Sequence, residues 1–126
     1  MENVKLVGTI DELPVAKGFI KNATKKIVFG PDRFWDDYVM RMWTLEPLAG
    51  EKDQHRHKWC HWAFCHKGEG KFVIDDVEYD LKPGVWVHVP ENIFHRFYNT
   101  SETEELMLIC IVPKRGDVDP TTMMGC

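Results

Sequence analysis

From Tyr38 onward the chain alternates apolar and polar positions with a period of two, broken at roughly 8–12-residue intervals by Gly, Pro, Asn or Asp. Tyr38 to Leu45 places Val39, Arg41, Trp43 and Leu45 on one face and Tyr38, Met40, Met42 and Thr44 on the other. Neither face is plainly polar, so both are expected to be covered. Past His61, Ala63 and Cys65 share the histidine's side, while Trp62, Phe64 and His66 face away. Phe72 to Ile74 and Val77 to Leu81 read as a hairpin around an Asp75-Asp76 turn, and Pro83-Gly84 forms a second tight turn. Val85, Val87 and Val89 alternate with Trp86 and His88. After a break at Pro90 to Asn92, His95, Phe97 and Asn99 return in phase, and Leu106 to Val112 is the last strand.

Upstream, Lys25 to Phe29 is β-prone and is stopped by Gly30-Pro31; Asp32 to Asp37 reads as a loop. Thr9-Ile-Asp-Glu12 has the spacing of a capping box for a short helical turn that Pro14 ends. Short strands with turn residues between them and almost no helical periodicity predict an all-β sandwich or barrel. At 126 residues it is expected to be one domain. Residues 1–36 form an N-terminal arm and first strand, 37–116 the barrel, and 117–126 a loose tail poor in apolar residues.

Charge narrows the choice of partner. With 16 basic against 20 acidic residues and a formal net charge of −4, no Lys/Arg cluster stands out to replace counterions on a phosphate backbone, so no nucleic acid is expected. The apolar run Leu106 to Val112 is about a third of the roughly 20 residues a membrane-spanning helix needs. The first nine residues lack the apolar core of a secretory signal, and the expected setting is cytoplasmic, with no membrane partner. Cys60, Cys65, Cys110 and Cys126 form no disulfide framework. On one extended segment Cys60 and Cys65 would stand about 16 Å apart, too far to bridge.

The candidate chemistry lies between Gly50 and Asn99. His55, His57 and His61 are all odd-numbered, so a locally extended chain would point the three side chains one way. The segments read Gly50-x4-His55-x-His57-x3-His61-x6-Gly68 and Gly84-x5-Pro90-x-Asn92-x2-His95-x3-Asn99. Together they resemble the two signature motifs of the single-domain cupins, small jelly-roll barrels also described as double-stranded β-helices. Three differences stand out. One residue is missing before His55, Asn92 replaces a glycine, and His61 replaces the usual glutamate ligand. Asn is the non-glycine residue best suited to positive φ, so the second exchange is tolerable. The third removes a carboxylate from the site. Val39-Met-Arg41, Trp59-Cys-His61, Pro90-Glu-Asn92 and Cys110-Ile-Val-Pro-Lys extend the resemblance to the four-histidine, manganese-binding bacterial cupins over roughly residues 25 to 116.

That resemblance implies one divalent first-row metal held by His55, His57, His61 and His95, manganese first, with iron, nickel, copper or zinc also suited to imidazole. Because four neutral ligands leave the ion its full charge, an anionic or chelating small-molecule substrate is expected. Strand parity and the resemblance aim Arg41 and Cys110 inward as candidate catalytic residues, with Trp59, Phe97 and Leu108 as apolar wall. For Cys110 the simpler role is a small hydrophobe, and for Arg41 an outward, solvated or dimer-facing residue. His66 and His88 fall outside the motifs and are read as surface or interface residues. The leading expectation is a metal-dependent oxygenase or oxidase. Its rivals are a redox-neutral isomerase or lyase on a sugar acid or keto acid, and a non-catalytic binding module. Trp62, Phe64 and Trp86, turned away from the histidines, suit a homodimer interface.

Overall fold

The computed structural model describes residues 5–16, 18, 20–50, 56 and 58–114. Its strands are β1 (Ala23–Phe29), β2 (Tyr38–Leu45), β3 (His61–Lys67), β4 (Gly70–Ile74), β5 (Val77–Leu81), β6 (Trp86–Val89), β7 (His95–Asn99) and β8 (Leu106–Pro113). They form two antiparallel sheets, a five-stranded one in the order β1-β2-β8-β3-β6 and a three-stranded one in the order β5-β4-β7. The chain is an all-β jelly-roll barrel. Among the described residues no helix is long and apolar enough to cross a membrane.

Alternation sets the two faces of each strand. Along β3, His61, Ala63 and Cys65 are buried while Trp62, Phe64 and His66 are exposed. β8 buries Leu106, Leu108, Cys110 and Val112 and leaves the residues between them half-buried. The core fills the space between the sheets, where Trp43, Leu45, Phe72, Leu81, Phe97, Leu106 and Leu108 interdigitate. β2 covers more than its inner face, since Met42 on the opposite face is also buried.

The hairpin β4–β5 turns at Asp75 and Asp76, which have φ of 51° and 64°. Two successive positive φ values are the backbone of a type I′ turn, whose twist suits paired strands. Asn99 ties the far end of β7. Its Nδ2 donates to the carbonyls of Leu45 (3.2 Å), Glu46 (3.1 Å) and Glu104 (2.8 Å), and its Oδ1 accepts from the Ser101 amide at 2.8 Å. One buried amide therefore fastens the end of β2 to the loop between β7 and β8.

Three local expectations are corrected. Residues Ile10–Glu12 form a 3-10 turn, yet the Thr9 hydroxyl makes no cap. The carboxylate of Glu12 accepts from Lys5 Nζ at 2.5 Å, and that bond, helped by the Thr9 backbone, holds it below the usual carboxylate range. Nor does an extended chain run unbroken into His61, because the backbone bends at Lys58 and Trp59 before β3 begins. Parity therefore does not carry across that bend. The first strand also starts earlier than Lys25, at Ala23, just after Asn22 with its φ of 59°. The tail from residue 115, including Cys126, lies outside the described residues.

Candidate metal centre in the barrel interior

His61 opens β3 and is fully buried. His95 opens β7, in the other sheet, and is 2% exposed. The two rings meet across the barrel with centroids 4.6 Å apart, edge on at 60°. Asn92, at φ 63°, turns the chain into β7, the left-handed conformation its place in the motif implies. The turn also positions the Ile93 carbonyl 3.0 Å from His95 Nδ1. A carbonyl can only accept, so Nδ1 carries the proton and Nε2 the lone pair. A backbone partner of this kind orients a histidine as a ligand. Phe72 backs the His95 ring, with centroids 6.4 Å apart, and stacks on Phe97 at 5.5 Å.

His55 and His57 lie outside the described residues, and among those described no group of three potential ligands is gathered. The described pair still permits a test of fit. With nitrogen about 1.2 Å from each ring centre and metal–nitrogen bonds of about 2.1 Å, two imidazoles at right angles around one ion have centroids about 4.7 Å apart. The observed 4.6 Å leaves room for one ion between the two rings. All-nitrogen donors of this kind also suit first-row divalent ions. The donor set fits a metal.

Sheet register locates the other candidates. Arg41 pairs with Cys110, and Cys110 with Ala63, which lies two residues beyond His61 on the same inward face. Strand spacing of about 4.8 Å and a two-residue repeat of about 6.7 Å put the Arg41 and His61 Cα atoms about 12 Å apart. Arg41 and Cys110 are both 0% exposed, so the outward alternative for Arg41 is set aside. Leu108 and Phe97 belong to the buried core, whereas Trp59 is half-buried on the loop before β3.

Lys25 was not singled out by the sequence. It pairs with Trp43, is 2% exposed, and holds Nζ 5.9 Å from the centroid of that ring. The signal that could have found it is register, since Lys25 takes its facing from Trp43. The buried polar side chains of the described residues are Lys25, Arg41, His61, His95 and Asn99, with no carboxylate among them. Cys60 and Cys65 are free thiols, and burial pushes the Cys65 thiol up from its ordinary value. A separate cavity of about 460 Å³ lies between residues 5–14 and the stretch Val28 to Phe34, and holds none of the candidate residues.

A family model described as Cupin domain matches residues 41–112. No curated protein matches the sequence. Among solved structures, the polyketide cyclase RemF from Streptomyces resistomycificus superposes with a TM-score of 0.76 at 16% identity, over 88% of this chain and 80% of its own. A predicted oxalate decarboxylase from Thermotoga maritima gives 0.74 at 15%, over 86% and 98%. A sugar phosphate isomerase of the cupin superfamily from Silicibacter pomeroyi gives 0.71 at 16%, over 82% and 72%. At such identities the likeness is one of fold.

Proposed function

Because the chain belongs to the cupin domain family, matched over residues 41–112, we propose that it is a metal-dependent enzyme acting on a small organic oxyanion. The observation that carries this reading is the buried His61–His95 pair at 4.6 Å, with the lone pair assigned to His95 Nε2. His61 and His95 would hold the ion together with His55 and His57, and manganese is the first candidate. When bound, such an ion supplies Lewis acidity and open coordination positions beside the substrate.

The protein's own groups set what can react there. Arg41 sits inside the barrel, where its planar guanidinium suits a carboxylate or enolate oxygen. Phe72, Phe97 and Leu108 exclude water, which strengthens that contact and shields a reactive intermediate. We assign the reaction to the oxygenase or oxidase type, because His61 stands where the motif usually has a glutamate and, among the described residues, no carboxylate is buried in the barrel to serve as a general base. A second, redox-neutral reading draws on the neighbours named as a polyketide cyclase and a sugar phosphate isomerase. In that case Arg41 would stabilise an enolate.

The test is metal analysis of protein purified without added metal, beside the His57→Ala and His95→Ala variants. Near-stoichiometric metal lost in both variants is the expected result. Redox-active metal together with oxygen uptake on small diketones, phenols or alkenes supports the oxygenase reading. Turnover of keto acids or sugar acids without oxygen uptake supports the redox-neutral one. Protein that holds no metal and binds no first-row ion at neutral pH would overturn the proposal.

A further inference from the structure

The cavity of about 460 Å³ between the N-terminal arm and the stretch Val28 to Phe34 shares no residue with the histidine site, and both of its walls are tied down. On the arm side, Lys5 Nζ donates to Glu12 at 2.5 Å and closes residues 5–12 into a loop. Gly8 lets that loop close, since a Cβ there would lie 2.7 Å from the same carboxylate oxygen. Lys26 Nζ donates to the Ile10 carbonyl at 3.1 Å and the Ala16 amide to the Lys25 carbonyl at 2.7 Å, which fastens the arm to β1. On the opposite side, Gly30 and Arg33 exchange two backbone hydrogen bonds of 3.1 and 2.7 Å, and the Trp35 amide donates to the Gly30 carbonyl at 3.1 Å.

Two features of the lining select an occupant. The first is apolar surface. Leu6, Val7, Phe29 and Phe34 border the cavity and are 68%, 83%, 39% and 59% exposed. Single exposed hydrophobic residues are ordinary, whereas several that converge on one concavity offer a ligand apolar walls. Phe34 reaches its place with φ at 72°, a left-handed backbone that strains a bulky side chain, and the turn at Gly30 holds it there. Strain of this kind gathers where a protein grips a ligand.

The second is charge. The charged side chains of the lining are Lys5, Glu12 and Arg33, and the first two neutralise each other. Arg33 spends its Nε on the Val28 carbonyl at 3.0 Å and lies beside Phe34, with Cζ 5.9 Å from the ring centroid. Among the described residues no carboxylate pairs with it, so its two terminal nitrogens keep their fork for an anion. One uncompensated guanidinium beside apolar walls matches one carboxylate on an apolar body. We propose that this cavity binds a single amphipathic monocarboxylate, with an alkyl or aryl chain between Leu6, Leu13, Phe29 and Phe34 and the carboxylate on Arg33. Its volume falls within the roughly 300–1,000 Å³ of small-molecule pockets. The proposal does not depend on the metal reading.

Isothermal titration calorimetry of the full chain tests this with octanoate, phenylbutyrate and octanol as probes. The two carboxylates distinguish an alkyl from an aryl body, and octanol lacks the charge. The expected result is saturation of one site per chain by at least one carboxylate, with octanol at least roughly tenfold weaker than octanoate if the body is alkyl. Arg33→Met should weaken the carboxylate by at least roughly tenfold, and Arg33→Lys, which loses the same bond to Val28 but keeps the charge, should restore part of that loss. Phe34→Gly removes the ring and relieves the backbone, so it should bind more weakly while unfolding no earlier than wild type. His95→Ala should bind the carboxylate as wild type does. The proposal is overturned if neither carboxylate saturates a single site at millimolar concentration, or if octanol binds as tightly as the carboxylates. It is equally overturned if Arg33→Met keeps the affinity and His95→Ala loses it, which would place the carboxylate inside the barrel.

Discussion

Single residues in this barrel carry roles that differ with what each side chain touches. Asn99 serves four hydrogen bonds from one buried amide, so Asn99→Ala strands three carbonyls and the Ser101 amide. We expect a loss of about 2–4 kcal/mol in urea unfolding. Cys65 behaves differently. Burial raises its thiol, so the folded state holds the proton more tightly than the unfolded chain does. The associated stability is fully present below the unfolded value of 9.0 and is lost as pH rises from there through the raised folded value. Peptide mapping after iodoacetamide treatment of native protein at pH below that value should show Cys60 alkylated well ahead of Cys65. Asn99 was visible as the last position of the second motif, in phase with His95. Lys25 was not, because a lysine in a β-prone run gives no sign that its partner across the sheet is a buried tryptophan.

At the scale of elements, strand faces were legible and strand ends were less so. Burial follows the alternation along β8 and along β3 as far as His66, because one face of each strand packs into the core. The bend at Lys58 and Trp59 was not legible, since nothing in that polar stretch breaks an extended chain by propensity alone. Turns whose backbone demands a special residue were easier to read. Gly68, at φ 86°, joins β3 to β4, and a Cβ there would lie 2.2 Å from the Glu105 carbonyl oxygen. Gly68→Ala combines left-handed strain with contact against backbone that cannot rotate away. Chemical denaturation should register a loss of at least about 2 kcal/mol.

Over the whole molecule, local periodicity gives strands but not their order, because pairing between distant segments leaves no local mark. The barrel class could be inferred from the number and spacing of strands, and half of the candidate ligand set can be seen facing inward in the fold. The position of β8 could not be inferred. Although it comes last in the chain, it lies at the centre of the five-stranded sheet and joins β2 to β3. Until Leu106–Pro113 has been synthesised, β1 with β2 and β3 with β6 are two separate ribbons, each with an apolar edge awaiting the same partner. Vectorial synthesis therefore cannot build this barrel piece by piece. A nascent chain that stalls before β8 holds the histidines of β3 and β7 on unclosed walls, with open edges that holdase chaperones or a second stalled chain could capture.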